Sequence, residues 1–215
     1  MLNKQIGNMY DFVTHTWNPI KGKCMHDCKY CYMKKWGEQK PLRLDENELK
    51  TNLGSGNFIF VGSGTDMFAR NVPTMYILDV LIHCKKYPDN TYLFQSKNPE
   101  VFLFFKFPTN SIFGTTIESN RDYPEISKAP KIQDRVDGMI KLKKMGFRLM
   151  ITIEPVLNFD VNRLVKIIEI IKPEWINLGA DSGGHNLPEP SKEKLLELIS
   201  RIKIRQKKNL KRLLK

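Results

Sequence analysis

The sequence lacks long apolar runs. A helix that spans a bilayer needs about 20 consecutive, mostly apolar residues, and no stretch of the 215 residues approaches that length. The N-terminus, residues 1–5, also lacks the basic and then apolar order of a secretory signal peptide. These absences argue against a membrane-embedded or secreted protein, so we expect a cytoplasmic protein without a membrane partner.

Cysteine is scarce and unevenly placed. Of four cysteines, Cys24, Cys28 and Cys31 fall within eight positions. This spacing is too close for a disulfide framework spread over the chain and is typical of a metal or cluster loop. The fourth, Cys84, follows His83 in an amphipathic helical stretch, where packed side chains are commoner than ligands. We expect both to belong to the core.

Acidic residues are absent from the C-terminal end. Residues 201–215 hold eight basic residues, which is two thirds of the formal net charge of +12. Such a segment attracts a polyanion such as nucleic acid, and it is equally typical of the solvated face of a C-terminal helix. We therefore predict one domain over residues 1–200 and a basic helical tail over 201–215.

Short apolar runs alternate six times with longer amphipathic segments, which is the pattern of β-α units around a parallel sheet. The predicted strands are Asp11–Thr16, Phe58–Val61, Thr91–Gln95, Ser111–Thr116, Arg148–Ile153 and Trp175–Leu178. The predicted helices are Glu46–Leu53, Thr74–Lys86, Pro99–Phe105, Ile132–Lys144, Val161–Ile171 and Lys192–Ile204. A complete eight-unit barrel takes about 250 residues. We therefore predict an α/β fold, a partial (β/α)6 TIM-type barrel with parallel strands.

The cysteine loop, residues 17–36, follows the first predicted strand and spaces its thiols C-x3-C-x2-C. Three thiolates on one short loop can hold three corners of a cubane cluster and leave the fourth iron open to a small molecule. The alternative is a structural zinc site in which His26 or His15 completes a tetrahedron. Such a protein would be a non-catalytic zinc or iron–sulfur module that binds nucleic acid. Both interpretations are open at this point.

The motif has a recognisable context. An aromatic residue, Tyr30, precedes the last cysteine, and the whole motif follows the first strand of a β-α chain; in this it resembles the radical S-adenosylmethionine (SAM) superfamily. The sequences Thr16-Trp17-Asn18-Pro19 and Ile153-Glu154-Pro155 are similar to those of short, phage-associated radical SAM proteins. A more distant resemblance is to the spore photoproduct lyase family.

The resemblance implies a cofactor pair. Cys24, Cys28 and Cys31 would hold a 4Fe–4S cluster, and SAM would bind the open iron through its amino and carboxylate groups, with Tyr30 against the adenine. An electron donor such as flavodoxin or ferredoxin would supply the electron that cleaves SAM. The resulting 5′-deoxyadenosyl radical would abstract a hydrogen atom from a substrate, for which the basic tail favours nucleic acid or a nucleotide. No catalytic residue is identified from the sequence.

Polar residues after the predicted strands are candidate ligands, because barrel chemistry occurs at the carboxyl ends of the strands. Gly62, Gly64 and Asp66 occupy the position of the superfamily's Gly-Gly-Glu motif, with aspartate in place of glutamate. The other candidates are Lys97 for the SAM carboxylate or a substrate phosphate, Glu118 and Asn120 for the ribose, and Glu154 for cofactor or substrate. Asp181 and His185 flank two glycines in a loop that could act as a lid.

Overall fold

A computed structural model describes residues 1–5 and 10–215. Its strands are β1 (Asn3–Lys4), β2 (His15–Trp17), β3 (Ile20–Lys21), β4 (Arg43–Leu44), β5 (Phe58–Val61), β6 (Thr91–Gln95), β7 (Ser111–Thr116), β8 (Arg148–Ile153), β9 (Trp175–Leu178) and β10 (Arg205–Gln206). The α-helices are α1 (Thr74–Lys85), α2 (Ile132–Lys144), α3 (Val161–Ile171) and α4 (Lys192–Arg201). Short 3-10 helices cover Tyr32–Trp36, Glu48–Lys50, Pro99–Phe104 and Lys208–Leu213.

Eight of these strands form one sheet in the order β1-β2-β5-β6-β7-β8-β9-β10. All neighbours from β2 to β10 pair in parallel, and β1 adds to β2 in antiparallel orientation. Strands β3 and β4 form a separate antiparallel ribbon. The sequential order of parallel strands confirms the predicted α/β class and the partial TIM-type barrel.

The first predicted strand was placed too early. Within Asp11–Thr16 only His15 and Thr16 lie in a strand, because the preceding residues turn away from the sheet. Tyr10 and Val13 are buried in an inner cluster against residues from four strands: Phe60, Leu93, Ile112 and Met150. The N-terminal segment thus fills the floor of the barrel. Its apolar side chains reflect that burial and not a period-2 strand.

The outer face of the sheet packs on the helices and forms the main core. Helix α3 is an example of how the sequence sets a helix boundary. The Asp160 side chain caps its N-terminus by accepting a hydrogen bond from Arg163 N at 2.9 Å. Its buried face carries Leu164, Val165 and Ile168. Two predicted helices, Glu46–Leu53 and Pro99–Phe105, are only short 3-10 turns. None of the helices in the described ranges is long and apolar enough to span a membrane.

The basic tail is integrated into the barrel. The predicted helix Lys192–Ile204 ends at Arg201, and the chain then adds β10 to the edge of β9. The following 3-10 helix buries Leu210, which is 1% exposed. Within residues 201–215 the structure thus has a strand and a short 3-10 helix beyond the end of α4, and these elements are part of the sheet and core.

We predict that Leu210→Ala lowers the free energy of unfolding by roughly 2–5 kcal/mol, the usual cost of emptying a core leucine site. Leu196→Ala is the matched control, because Leu196 lies on α4 and is 49% exposed, and should stay within about 0.5 kcal/mol of the parent. Urea denaturation of both variants checks this. Equal effects would show that the tail does not contribute to the core.

Candidate functional site

The cysteine loop leaves β2 at the carboxyl edge of the sheet. Asn18 fixes its start, since Asn18 Oδ1 accepts hydrogen bonds from Gly64 N at 2.8 Å and Ser63 Oγ at 3.1 Å. Gly62 N also donates to the carbonyl of Trp17 at 2.8 Å. The two predicted ligand glycines, Gly62 and Gly64, therefore contact the start of the cysteine loop.

The segment after β7 holds the other side of the loop. Lys29 N donates to the Ile126 carbonyl at 2.8 Å, and Lys128 N donates to the His26 carbonyl at 2.7 Å. Between these bonds the Ser127 hydroxyl lies 3.0 Å from the sulfur of Cys28. The position of the cysteines therefore depends on a segment about 100 residues later in the sequence.

The three loop cysteines are free thiols. Burial raises the pKa of Cys24 to about 12, with a further increase from the charge of Asp66, and burial also raises the pKa of Cys31. These thiols would release protons on binding a metal, as metal-ligating cysteines do. In the described part of the chain no three His, Cys, Asp or Glu side chains already surround one ion position. The donor chemistry fits three corners of a cluster, and the ligand assignment stays a prediction.

Asp66 connects three loops. Its carboxylate accepts hydrogen bonds from Phe68 N (3.0 Å), Ser96 Oγ (3.0 Å) and Lys97 N (2.8 Å), and Nε2 of His26 lies 2.9 Å from it. Burial raises its pKa, but the contact with His26 and these hydrogen bonds outweigh burial and the net pKa is lowered. An ionised carboxylate has about four acceptor positions. Three of these contacts are to Oδ2, whereas Oδ1 accepts only from Phe68 N and keeps one acceptor position. A contact between Asp66 and the SAM amino group therefore stays a prediction.

Three predicted ligands meet in one cluster around the buried Glu118. Lys97 Nζ lies 2.8 Å from the Tyr30 hydroxyl and 2.5 Å from Glu118 Oε1, and Tyr30 also donates to Glu118. On the other carboxylate oxygen, Arg135 Nη1 donates at 2.7 Å. We call these four residues the Glu118 cluster. Arg135 was missed from the sequence, although a charged residue among the apolar positions of α2 is a signal that could have found it.

The Glu118 cluster has an excess of positive charge. Burial alone would raise the pKa of Glu118, but the charges of Lys97 and Arg135 outweigh it and lower that pKa to about 2. Burial and the Glu118 charge raise the pKa of Tyr30. At neutral pH the cluster thus holds two cations, one anion and a neutral phenol. An enclosed group of this charge is suited to receive one more carboxylate.

A cavity of about 140 Å³ adjoins the Glu118 cluster. Apolar side chains dominate its walls, among them Tyr123, Ile126 and Leu157, and Tyr30 and Glu118 close one side. The cavity thus places an apolar wall beside hydrogen-bonding groups, which is the usual composition of a small-molecule site. It lies next to the segment that holds the cysteine loop.

Asn120 and Glu154 lie outside that cluster. Asn120 Oδ1 accepts a hydrogen bond from Asp160 N at 2.7 Å, at the start of α3. Glu154 contacts Lys207 Nζ at 2.7 Å and Asn209 Nδ2 at 3.1 Å. Glu154, Lys207 and Asn209 form what we call the mouth cluster. The sequence analysis did not identify Lys207 and Asn209 as site residues, because only the return of the tail to β9 brings them next to Glu154.

The inner face below the mouth cluster is polar. Thr152 of β8 and Asn177 of β9 are register partners that are 2% and 3% exposed. Asn177 Nδ2 has no hydrogen-bond partner in the described part of the protein, and the Thr152 hydroxyl faces the phenol of Tyr10. Unpaired buried polar atoms of this kind call for a ligand or an ordered water. The barrel interior thus offers hydrogen-bonding groups above its aromatic floor.

The remaining candidates have structural contacts. His185 Nδ1 lies 2.7 Å from Asp181 Oδ1, so the two residues contact each other within the predicted lid loop. His83 Nε2 lies 2.8 Å from the Thr51 carbonyl, and both His83 and Cys84 are buried, as expected for core residues.

Comparison with known proteins gives structural neighbours only. No family model and no curated protein sequence matches the chain. Spore photoproduct lyase complexed with dinucleoside spore photoproduct superposes with a TM-score of 0.62 at 12% identity, over 92% of this chain and 63% of that one. A variant of the same enzyme with bound AdoMet and dinucleoside spore photoproduct gives 0.60 at 11% identity, with coverage of 92% and 63%.

A second neighbour is Streptococcus suis SuiB bound to S-adenosylmethionine, with a TM-score of 0.53 at 10% identity over 86% of this chain and 45% of that one. Both neighbours are radical SAM enzymes. The chain therefore shares their fold and spans about 63% of the length of the spore photoproduct lyase structures.

We predict that Glu118→Gln lowers the free energy of unfolding at pH 7 by roughly 3 kcal/mol, because it leaves the buried Arg135 and the partly buried Lys97 without their carboxylate. The folded pKa of Glu118 is lowered from 4.5 to about 2. The contribution of its charge is therefore complete above pH 4.5 and is lost as the pH falls towards 2. Urea unfolding at a series of pH values should show the gap to the parent protein narrowing below pH 4.5. A gap that stays constant down to pH 2.5 would contradict the assignment.

Proposed function

We propose that this protein is a radical SAM enzyme in which Cys24, Cys28 and Cys31 hold a 4Fe–4S cluster. The observation that carries the proposal is the packing of a C-x3-C-x2-C loop at the carboxyl edge of a parallel partial barrel, with its Tyr30 in the Glu118 cluster. When bound and reduced by an external electron donor, such a cluster would supply the electron that cleaves SAM into methionine and a 5′-deoxyadenosyl radical, and this radical would abstract a hydrogen atom from a substrate.

The chain's own residues would bind and orient SAM. Lys97 supplies the cation for the SAM carboxylate, since the Glu118 cluster carries one uncompensated positive charge. Glu118, which stays ionised far below neutral pH, has one acceptor position left on Oε2 and can accept a hydrogen bond from one ribose hydroxyl. Tyr30 lines the apolar cavity in which an adenine would lie. The burial of these groups keeps water away from the reacting atoms.

The substrate we propose is a nucleic acid or nucleotide. The formal net charge of +12 favours an anionic partner, and one structural neighbour binds a dinucleoside. The same charge would favour docking of an acidic electron donor such as flavodoxin or ferredoxin. Four unpaired thiols are typical of a reducing compartment, which fits the expected cytoplasmic location.

A second function, a non-catalytic zinc module, has one specific observation in its favour. His26 is buried, its Nε2 lies 2.9 Å from the Asp66 carboxylate, and its Nδ1 has no partner within the described ranges. A histidine that ligates metal through one nitrogen commonly donates from the other to a carboxylate. His15, the other proposed zinc ligand, lies on β2 with Nδ1 2.9 Å from the Thr14 hydroxyl.

We predict that anaerobically purified protein contains about four irons with matching sulfide, and that Cys28→Ala removes most of that iron. Cys84→Ala is the matched control and should keep it, because Cys84 is buried in α1 away from the loop. The electron paramagnetic resonance spectrum of the reduced protein should change when SAM is added, and 5′-deoxyadenosine should form with dithionite.

A content of one zinc per chain without sulfide would contradict the proposed enzymatic function and favour the zinc module. In that case His26→Ala should lower zinc content while His15→Ala should not. If a reconstituted cluster neither responds to SAM nor yields 5′-deoxyadenosine, the proposed chemistry is wrong even with iron present.

A further inference from the structure

The structure divides the basic residues of the tail into two groups. Four of the eight have an acidic partner: Arg201 with Glu197, Arg205 with Asp11, Lys207 with Glu154 and Arg212 with Glu189. The other four are Lys203, Lys208, Lys211 and Lys215, and no ion pair is found for them in the described part of the protein. All eight look alike in the sequence, whereas only the second group can meet a polyanion without first giving up an acidic partner.

Three of the unpaired lysines share one groove. Lys208, Lys211 and Lys215 line an open depression of about 880 Å³ between the tail and the loop over residues 181–189. The two acidic residues in the same wall are already engaged, because Asp181 contacts His185 and Glu189 pairs with Arg212. The groove therefore has a local excess of positive charge. Lys203 is exposed but does not line it.

The local backbone places two of these lysines side by side. Lys208 and Lys211 lie in the 3-10 helix Lys208–Leu213. Residues three apart eclipse in a 3-10 helix and are separated by a rise of about 6 Å. Both ammonium groups therefore project from the same side of the tail as a short row of cations. A row of cations suits a ligand that carries repeated negative charges.

The groove adjoins the barrel mouth. Asn209 lines the groove, and its Nδ2 lies 3.1 Å from Glu154 Oε1 in the mouth cluster. The same nitrogen lies 2.8 Å from Ser182 Oγ on the facing wall of the groove. A ligand held along the groove would consequently pass the mouth cluster, below which Asn177 has a buried side-chain amide without a hydrogen-bond partner in the described part of the protein.

We propose that this tail groove binds the phosphate backbone of a nucleic-acid strand and presents one nucleotide to the barrel mouth. Binding to the groove does not depend on the proposed function, and only the reaction that would follow binding rests on it. A protein partner fits less well, because protein interfaces have an apolar core rich in aromatic residues. The groove has no aromatic lining residue, and Leu187 is its one large apolar side chain.

Phosphate contacts alone carry no sequence information. The groove should therefore bind strands of different sequence with similar affinity and with a steep dependence on salt. For single strands, each phosphate contact contributes about 0.7 to the slope of log affinity against log salt. Three lysines account for a slope of about 2.

The experiment compares two variants with a fluorescent single-stranded oligonucleotide, measured by anisotropy over a salt series. In the triple variant Lys208→Gln/Lys211→Gln/Lys215→Gln we expect at least a tenfold loss of affinity and a slope reduced by about 2. Lys203→Gln is the control from the same tail and should bind like the parent. All four side chains are exposed, so thermal melting should show that every variant is folded. Point substitutions are preferable to deletion of the tail, which would remove β10 and Leu210.

An equal loss of affinity in Lys203→Gln, or no loss of affinity in the triple variant, would contradict the proposed binding site. Inorganic polyphosphate is the second probe: if it displaces the oligonucleotide at equal phosphate concentration and binds as tightly, the site recognises polyphosphate rather than a nucleic-acid strand. Loss of flavodoxin binding with unchanged oligonucleotide binding would assign the lysines to the electron donor. Failure of the proposed function is separate, because iron content and 5′-deoxyadenosine formation report on it without any oligonucleotide.

Discussion

A buried carboxylate organises the candidate site. Glu118 stays ionised at 5% side-chain exposure because Lys97, after β6, and Arg135, on α2, both contact it. Tyr30 brings the cysteine loop to the same oxygen. Removing one member would leave the others as uncompensated buried charges or unpaired donors. The positions of the loop, β6, β7 and α2 are therefore interdependent, and Asp66 links the loop to β5 and β6 in a similar way.

The parallel strands could be predicted because their two faces are covered. Strands β5 to β9 are apolar runs bounded by turns, and their predicted limits match the structure at both ends. The prediction of the first strand was wrong for a physical reason. Tyr10, Phe12 and Val13 are apolar because they pack inside the barrel, where the ring centroids of Phe12 and Trp175 are stacked 5.8 Å apart. A local pattern cannot distinguish a segment that fills a barrel from a strand that forms its wall.

The candidate site was predictable to the extent that topology determines it. Parallel strands deliver their carboxyl ends to one edge, so the convergence of Lys97 and Glu118 follows from the strand assignments. Arg135, Lys207 and Asn209 could not be placed that way, because a helix face and a returning tail bring them in. Likewise, the sequence suggests Asp66 as a ligand, whereas only the folded arrangement reveals that its Oδ2 already contacts His26, Ser96 and the backbone of Lys97.

The distribution of charge at the barrel mouth sets the chemistry of a fitting ligand. Glu154 and Lys207 cancel each other beside the mouth, and the inner face contributes uncharged groups from Thr152 and Asn177. A charged group placed there would lose its hydration without gaining a counter-ion. The uncancelled cations lie outside, along the tail groove. The best complement is therefore a ligand with a neutral, hydrogen-bonding part and an anionic carrier. A nucleotide in a strand has that division of charge, whereas an acidic peptide carries its charge on the side chains that would enter the mouth.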